Sequence, residues 1–188
     1  MRARPPLPLL AAALALAPAA VRAQAPDPTA QVRDSEVPGS PVRRAQATAD
    51  YALPFDRVAA RLLDYGGYPA FMRRFRRAQV IRRNRAETDV YFEVALPASL
   101  GDFWFLHRMR VERSRDRLLI DGLSREGNAG HVESRIELAR TGPDACRITF
   151  SLYALPTVPA RPATVNQLLR SAVEGGVQQL RRAVEARP

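Results

Sequence analysis

The chain has 188 residues, 46% hydrophobic and 26% charged, which suits one domain with its own core and excludes a wholly disordered protein. All 29 basic residues are arginine, against 19 acids, for a net charge of +10. Arginine used throughout in place of lysine reads as a genome-wide bias, so the charge favours acidic partners only weakly, and a lone Cys146 excludes an intrachain disulfide.

The first 23 residues have the pattern of a cleaved export signal. Arg2 and Arg4 form a positive start, and Leu7 to Val21 is an apolar run broken by Pro8 and Pro18. Val21-Arg22-Ala23 offers small residues for cleavage before Gln24. The run is shorter than the about 20 apolar residues of a membrane span, so a periplasmic or secreted protein is expected. Residues 24–44, with Pro26, Pro28, Pro38 and Pro41 and no apolar periodicity, are expected to form a disordered linker. Residues 45–188 are then the folded domain.

Within it, Ala47, Ala49, Tyr51 and Leu53 share one face of a first strand. Pro54 suits the first turn of a helix whose buried stripe is Phe55, Val58, Ala59 and Leu62. Gly66 and Gly67 are expected to stop it, and Tyr68 to Met72 reads as a short second helical turn. Alternating segments follow, with turn residues between them. Phe75 to Arg83 is the least regular. Val90, Phe92 and Val94 face one way from the next strand, and Phe103, Phe105, His107, Met109 and Val111 from the one after. Leu118 and Ile120 predict a shorter strand closing at Gly122. Val132, Ser134, Ile136 and Leu138 share a face, as do Ile148, Phe150 and Leu152. From about Ala163 the chain predicts one long amphipathic helix, with Val165, Leu169, Val173, Gly176, Val177 and Leu180 on its apolar side. A half-apolar antiparallel sheet and one such helix must cover each other.

This order resembles the START-like (SRPBCC) superfamily, in its polyketide cyclase/dehydrase and coenzyme Q-binding-like branch. The segment Leu62-Leu63-Asp64-Tyr65-Gly66-Gly67-Tyr68-Pro69-Ala70-Phe71 is similar to the family's stretch between its first helix and second strand. Leu53 to Val58 resembles the entry into that helix, and Leu155-Pro156 through Pro162 the approach to the closing helix. The resemblance implies an α+β helix-grip fold, a curved antiparallel sheet wrapped around a long C-terminal helix. It also implies an internal apolar cavity, while its motifs are structural and specify no reaction.

The cavity expected from these inner faces is lined by Tyr51, Val90, Phe92, Val94, Phe103, Phe105, His107 and Met109. Ser134, Ile136 and Phe150 join them from later strands, and Val173 and Gly176 from the helix. So apolar a lining suits a hydrophobic guest (a lipid, quinone or polyketide-like molecule) better than proton transfer. His107 is either an anchor for a ligand oxygen, the base of a cyclase/dehydrase-type enzyme with Tyr51 or Ser134, or a core histidine with a structural partner. A cavity filled by side chains would leave a scaffold without a ligand. Cys146 reads as a buried thiol rather than a nucleophile. No cofactor is expected, and no metal site: His131 points away from His107 and no ligand cluster has the right spacing. Arg73, Arg74, Arg76 and Arg77 open an arginine run that suits an anionic membrane surface or an ordinary solvated face. Nucleic acid is the least suited partner, since export and sparse aromatics both oppose it.

Overall fold

The computed structural model describes residues 30–96 and 101–186. The export signal expected over residues 1–23 lies outside them. The described residues form eight strands, β1 (Gln31–Ser35), β2 (Arg44–Tyr51), β3 (Phe75–Arg83), β4 (Glu87–Ala95), β5 (Asp102–Arg113), β6 (Arg117–Gly127), β7 (His131–Gly142) and β8 (Ala145–Leu155). Helix α1 (Phe55–Leu63) and a 3-10 turn (Tyr65–Ala70) separate β2 from β3, and helix α2 (Pro162–Glu185) ends the fold. All neighbouring strands run antiparallel, in the order β1-β2-β8-β7-β6-β5-β4-β3. The sheet is curved and unclosed, and α2 lies in its grip, as the sequence predicts.

Small residues on β2 let the helix come close. Ala45, Ala47 and Ala49 are buried where α2 packs on β2 and β8. Three side chains then pin α2 along its length. The Tyr51 phenol donates to the Val177 carbonyl, Arg57 donates to the Val184 carbonyl at 2.8 Å, and Asn166 accepts from the Arg43 amide at 2.8 Å. Backbone carbonyls near a helix end lack intrahelical donors, so the Arg57 contact also serves as a C-terminal cap.

Three expectations need correction. Gln31–Ser35, placed in a disordered linker, is a strand that pairs with β2 and is held to α2 by the Arg170–Asp34 ion pair at 2.8 Å. Second, α1 ends before the glycines, which lie inside the 3-10 turn. The Asp64 carboxylate accepts the Gly67 amide at 3.2 Å, and a Cβ at Gly67 would stand 2.1 Å from Asp64 Oδ2. Third, β6 does not close at Gly122 but runs on to Gly127. The irregularity of β3 is borne out as two register shifts against β4. This strand is a sheet edge, where bulges and arginines hinder pairing with another chain.

Candidate functional site

Between the concave sheet face and α2 lies a cavity of about 250 Å³. Ten of the residues expected to line a cavity border it: Phe92 and Val94 from β4, Phe103, Phe105, His107 and Met109 from β5, Ser134 and Ile136 from β7, Phe150 from β8, and Gly176 from α2. Strand alternation puts them there, because one face of each strand must be buried. Gly176 leaves Phe150 its room: a Cβ there would lie 3.2 Å from the Phe150 ring.

Tyr51, Val90 and Val173 do not border the cavity and are corrected to core residues, each almost fully buried. Tyr51 sits beneath the C-terminal half of α2, where its phenol is committed to the Val177 carbonyl. Burial pushes its pKa well above the usual tyrosine range, so it is a poor proton donor to a ligand. Some of the other lining residues were missed because they lie on connections. Tyr68 and Met72 come from the turn after α1, Ala129 from the β6–β7 turn, and Pro156, Val158 and Ala160 from the β8–α2 connection. The signal for the last group was present, since that connection is apolar and proline-rich where exposed loops are usually polar.

His107 is the main polar group deep in this space. It is 2% exposed, and its Nε2 lies 2.9 Å from Ser134 Oγ. Its other nitrogen, Nδ1, is buried without a hydrogen-bond partner. The ring packs edge-on to Phe105 at 5.3 Å, within an aromatic wall that continues through Phe92 to Phe75 and Tyr68. Apolar surroundings withhold water from the charged ring, which lowers its pKa from 6.5 to about 4. No carboxylate borders the cavity among the described residues. A neutral imidazole without an acidic partner can anchor one polar ligand atom, but is a weak general base near neutral pH.

Gly122 makes this pair possible. It stands between the two residues in the sheet, and a Cβ there would lie 2.2 Å from His107 Nε2 and 2.4 Å from Ser134 Oγ. The glycine read as a strand end is therefore the space in which the His107–Ser134 contact forms.

The depressed pKa has a consequence for stability. The folded state keeps His107 neutral, so its contribution is complete above the ordinary value of 6.5 and is lost as pH falls towards about 4. The full loss is about 3 kcal/mol by linkage. Denaturant titrations at several pH values should therefore show a steeper fall over that window in the natural protein than in His107→Gln. Parallel curves would mean that His107 does not titrate with folding.

The remaining candidates are less engaged with the cavity. Cys146 is buried on β8 and its pKa is pushed up to about 11 by desolvation, which suits a packed thiol and not a nucleophile. His131 bonds to Glu133 Oε1 at 2.7 Å on the outer face. No group of metal-holding side chains occurs among the described residues. Arg73 and Arg74 border the cavity mouth, whereas Arg76 pairs with Asp102 at 3.3 Å and Arg77 donates to Gln79 at 2.7 Å. A second hollow of about 560 Å³ lies on the outer face, but its charged walls largely pair with one another, as in Arg44–Glu133 and Arg135–Asp121. The inner cavity is the better ligand site.

No family model matches the chain, and no curated protein is similar to it in sequence. Solved structures are similar in fold. A STAR-related lipid transfer protein from Xanthomonas axonopodis matches with a TM-score of 0.74 at 15% identity, over 84% of this chain and 94% of that one. Human StAR-related lipid transfer protein 5 matches with a TM-score of 0.75 at 10% identity, over 84% of this chain and 83% of that one. The Zhui aromatase/cyclase from Streptomyces matches with a TM-score of 0.63 at 14% identity, over 77% and 94%. Identities this low show the START-like helix-grip fold and nothing narrower.

Proposed function

We propose that the protein binds one hydrophobic small molecule in its internal cavity, without catalysing its conversion. The carrying observation is the lining itself: a cavity of about 250 Å³ with mostly aliphatic and aromatic walls, no bordering carboxylate among the described residues, and a neutral imidazole whose Nδ1 has no hydrogen-bond partner. The lipid transfer proteins among the structural neighbours support a hydrophobic guest. On this reading the body of the guest is held mainly by apolar contact along the cavity. Apolar burial contributes about 25 cal/mol per Å², so shape and size dominate affinity.

The signal-like first residues support a binder that works outside the cytoplasm, in a periplasm or beyond the cell. We assign the mouth to the face that approaches a membrane. Trp104, Leu155 and Val158 are exposed on segments at the same end of the sheet as the start of β3, which Arg73 and Arg74 precede. Tryptophan with exposed apolar side chains suits a membrane interface.

Titration with an apolar fluorescent probe tests the reading. Saturable uptake of one probe per folded chain is expected. A folded protein that takes up no probe would remove its basis.

A further inference from the structure

The cavity mouth carries charge of a single sign. Arg73 and Arg74 border it, and among the described residues no Asp or Glu does. Nor does either guanidinium have an ion-pair partner among the described residues, unlike Arg76, Arg82, Arg108, Arg110 and Arg140 on the same chain. The segment is nevertheless held in place. Gln179 of α2 accepts the Arg73 amide at 2.7 Å, and the same side chain donates to the Gly175 carbonyl at 2.8 Å. The Arg74 carbonyl accepts the Ala95 amide at 2.7 Å, which fixes the start of β3 against the end of β4. Two backbone-anchored cations thus stand at the rim of an apolar space with no acidic side chain among the described residues to meet.

Arginine binds carboxylate and phosphate through paired hydrogen bonds, and such contacts strengthen as water is excluded. A wholly neutral guest would leave both charges facing its apolar end. Size narrows the choice further. About 250 Å³ is below the usual range of about 300–1,000 Å³ for small-molecule pockets, which leaves little room for two acyl chains. The depth is consistent with one chain. His107 and Phe103 lie on the same face of β5, about 13 Å apart along an extended strand, with Phe103 level through Val94 with Phe75, the residue after Arg74.

We propose that the guest is a single-chain or similarly compact acidic amphiphile, its carboxylate or phosphate held by Arg73 and Arg74 at the mouth and its apolar body directed towards His107. This rests on the binding reading above and specifies the chemical class of the ligand.

The test compares dodecanoate with dodecanol, titrated against the full chain by displacement of the apolar probe. Dodecanoate is expected to bind about tenfold or more tightly than the alcohol, as hydrogen bonds to charged groups contribute. In the double variant Arg73→Ala, Arg74→Ala that preference should fall to about twofold or less, with alcohol affinity and circular dichroism unchanged. Equal binding of acid and alcohol by the natural protein would overturn the proposal and leave the cavity reading intact. Binding of neither would remove the cavity reading itself. A double variant that keeps the acid preference but loses binding to vesicles containing phosphatidylglycerol would also overturn it, assigning the two arginines to a membrane surface instead.

Discussion

Gly122→Ala is expected to destabilise the fold by about 2–4 kcal/mol, a large effect for adding one methyl group. The new Cβ would stand 2.2 Å from His107 Nε2 and 2.4 Å from Ser134 Oγ, with His107 buried and Ser134 half-buried. Neither can step aside without breaking their mutual hydrogen bond and leaving the imidazole with two buried, unpaired nitrogens. An alanine in a strand is otherwise better than glycine, so the direction runs against propensity. Gly142→Ala is the control. Its Cβ would meet only the Ala145 Cβ at 3.5 Å, an ordinary contact, and a change within about 0.5 kcal/mol is expected. Chemical denaturation of both variants checks this, and adding His107→Ala to Gly122→Ala should recover part of the loss. A neutral Gly122→Ala would mean that the His107–Ser134 contact is not held as described.

The second large effect concerns binding. Ala172 borders the cavity from α2, opposite the aromatic wall, so Ala172→Trp should fill much of the space. Probe affinity is expected to fall by about 100-fold or more, since an indole approaches the size of a small guest. Stability should stay close to that of the natural protein, because filling a void restores contacts that the empty space lacks. Fluorescence titration together with thermal unfolding separates the two outcomes. Unchanged probe affinity in a folded Ala172→Trp protein would place the probe site elsewhere.

Much of the fold is legible in the sequence because burial of one face leaves a period along the chain. The alternation at Phe103, Phe105, His107 and Met109 sets which way β5 faces, and so turns His107 inward. The stripe Phe55, Val58, Ala59 and Leu62 likewise marks the buried face of α1. Alternation gives a face, however, and not a depth or a neighbour. Tyr51 has the expected face, but it is buried against α2 with its phenol committed to the Val177 carbonyl and does not border the cavity. Gly122 is not legible at all. A glycine in a strand pattern signals either an end or a close approach. The choice depends on β5 and β7 being its neighbours, which is a property of the sheet order. Strand β1 escapes for a related reason. Gln31–Ser35 carries one apolar residue, Val32, so its stability comes from pairing with β2 and from the Asp34–Arg170 contact rather than from its own composition.

The most direct test of the central reading is native mass spectrometry of the protein purified from its own host, followed by extraction of whatever it carries. A single bound hydrophobic molecule per chain, released on denaturation and absent from Ala172→Trp, is the expected result. Natural protein that is empty after purification from lipid-rich material, and that stays empty when offered apolar compounds, would contradict it.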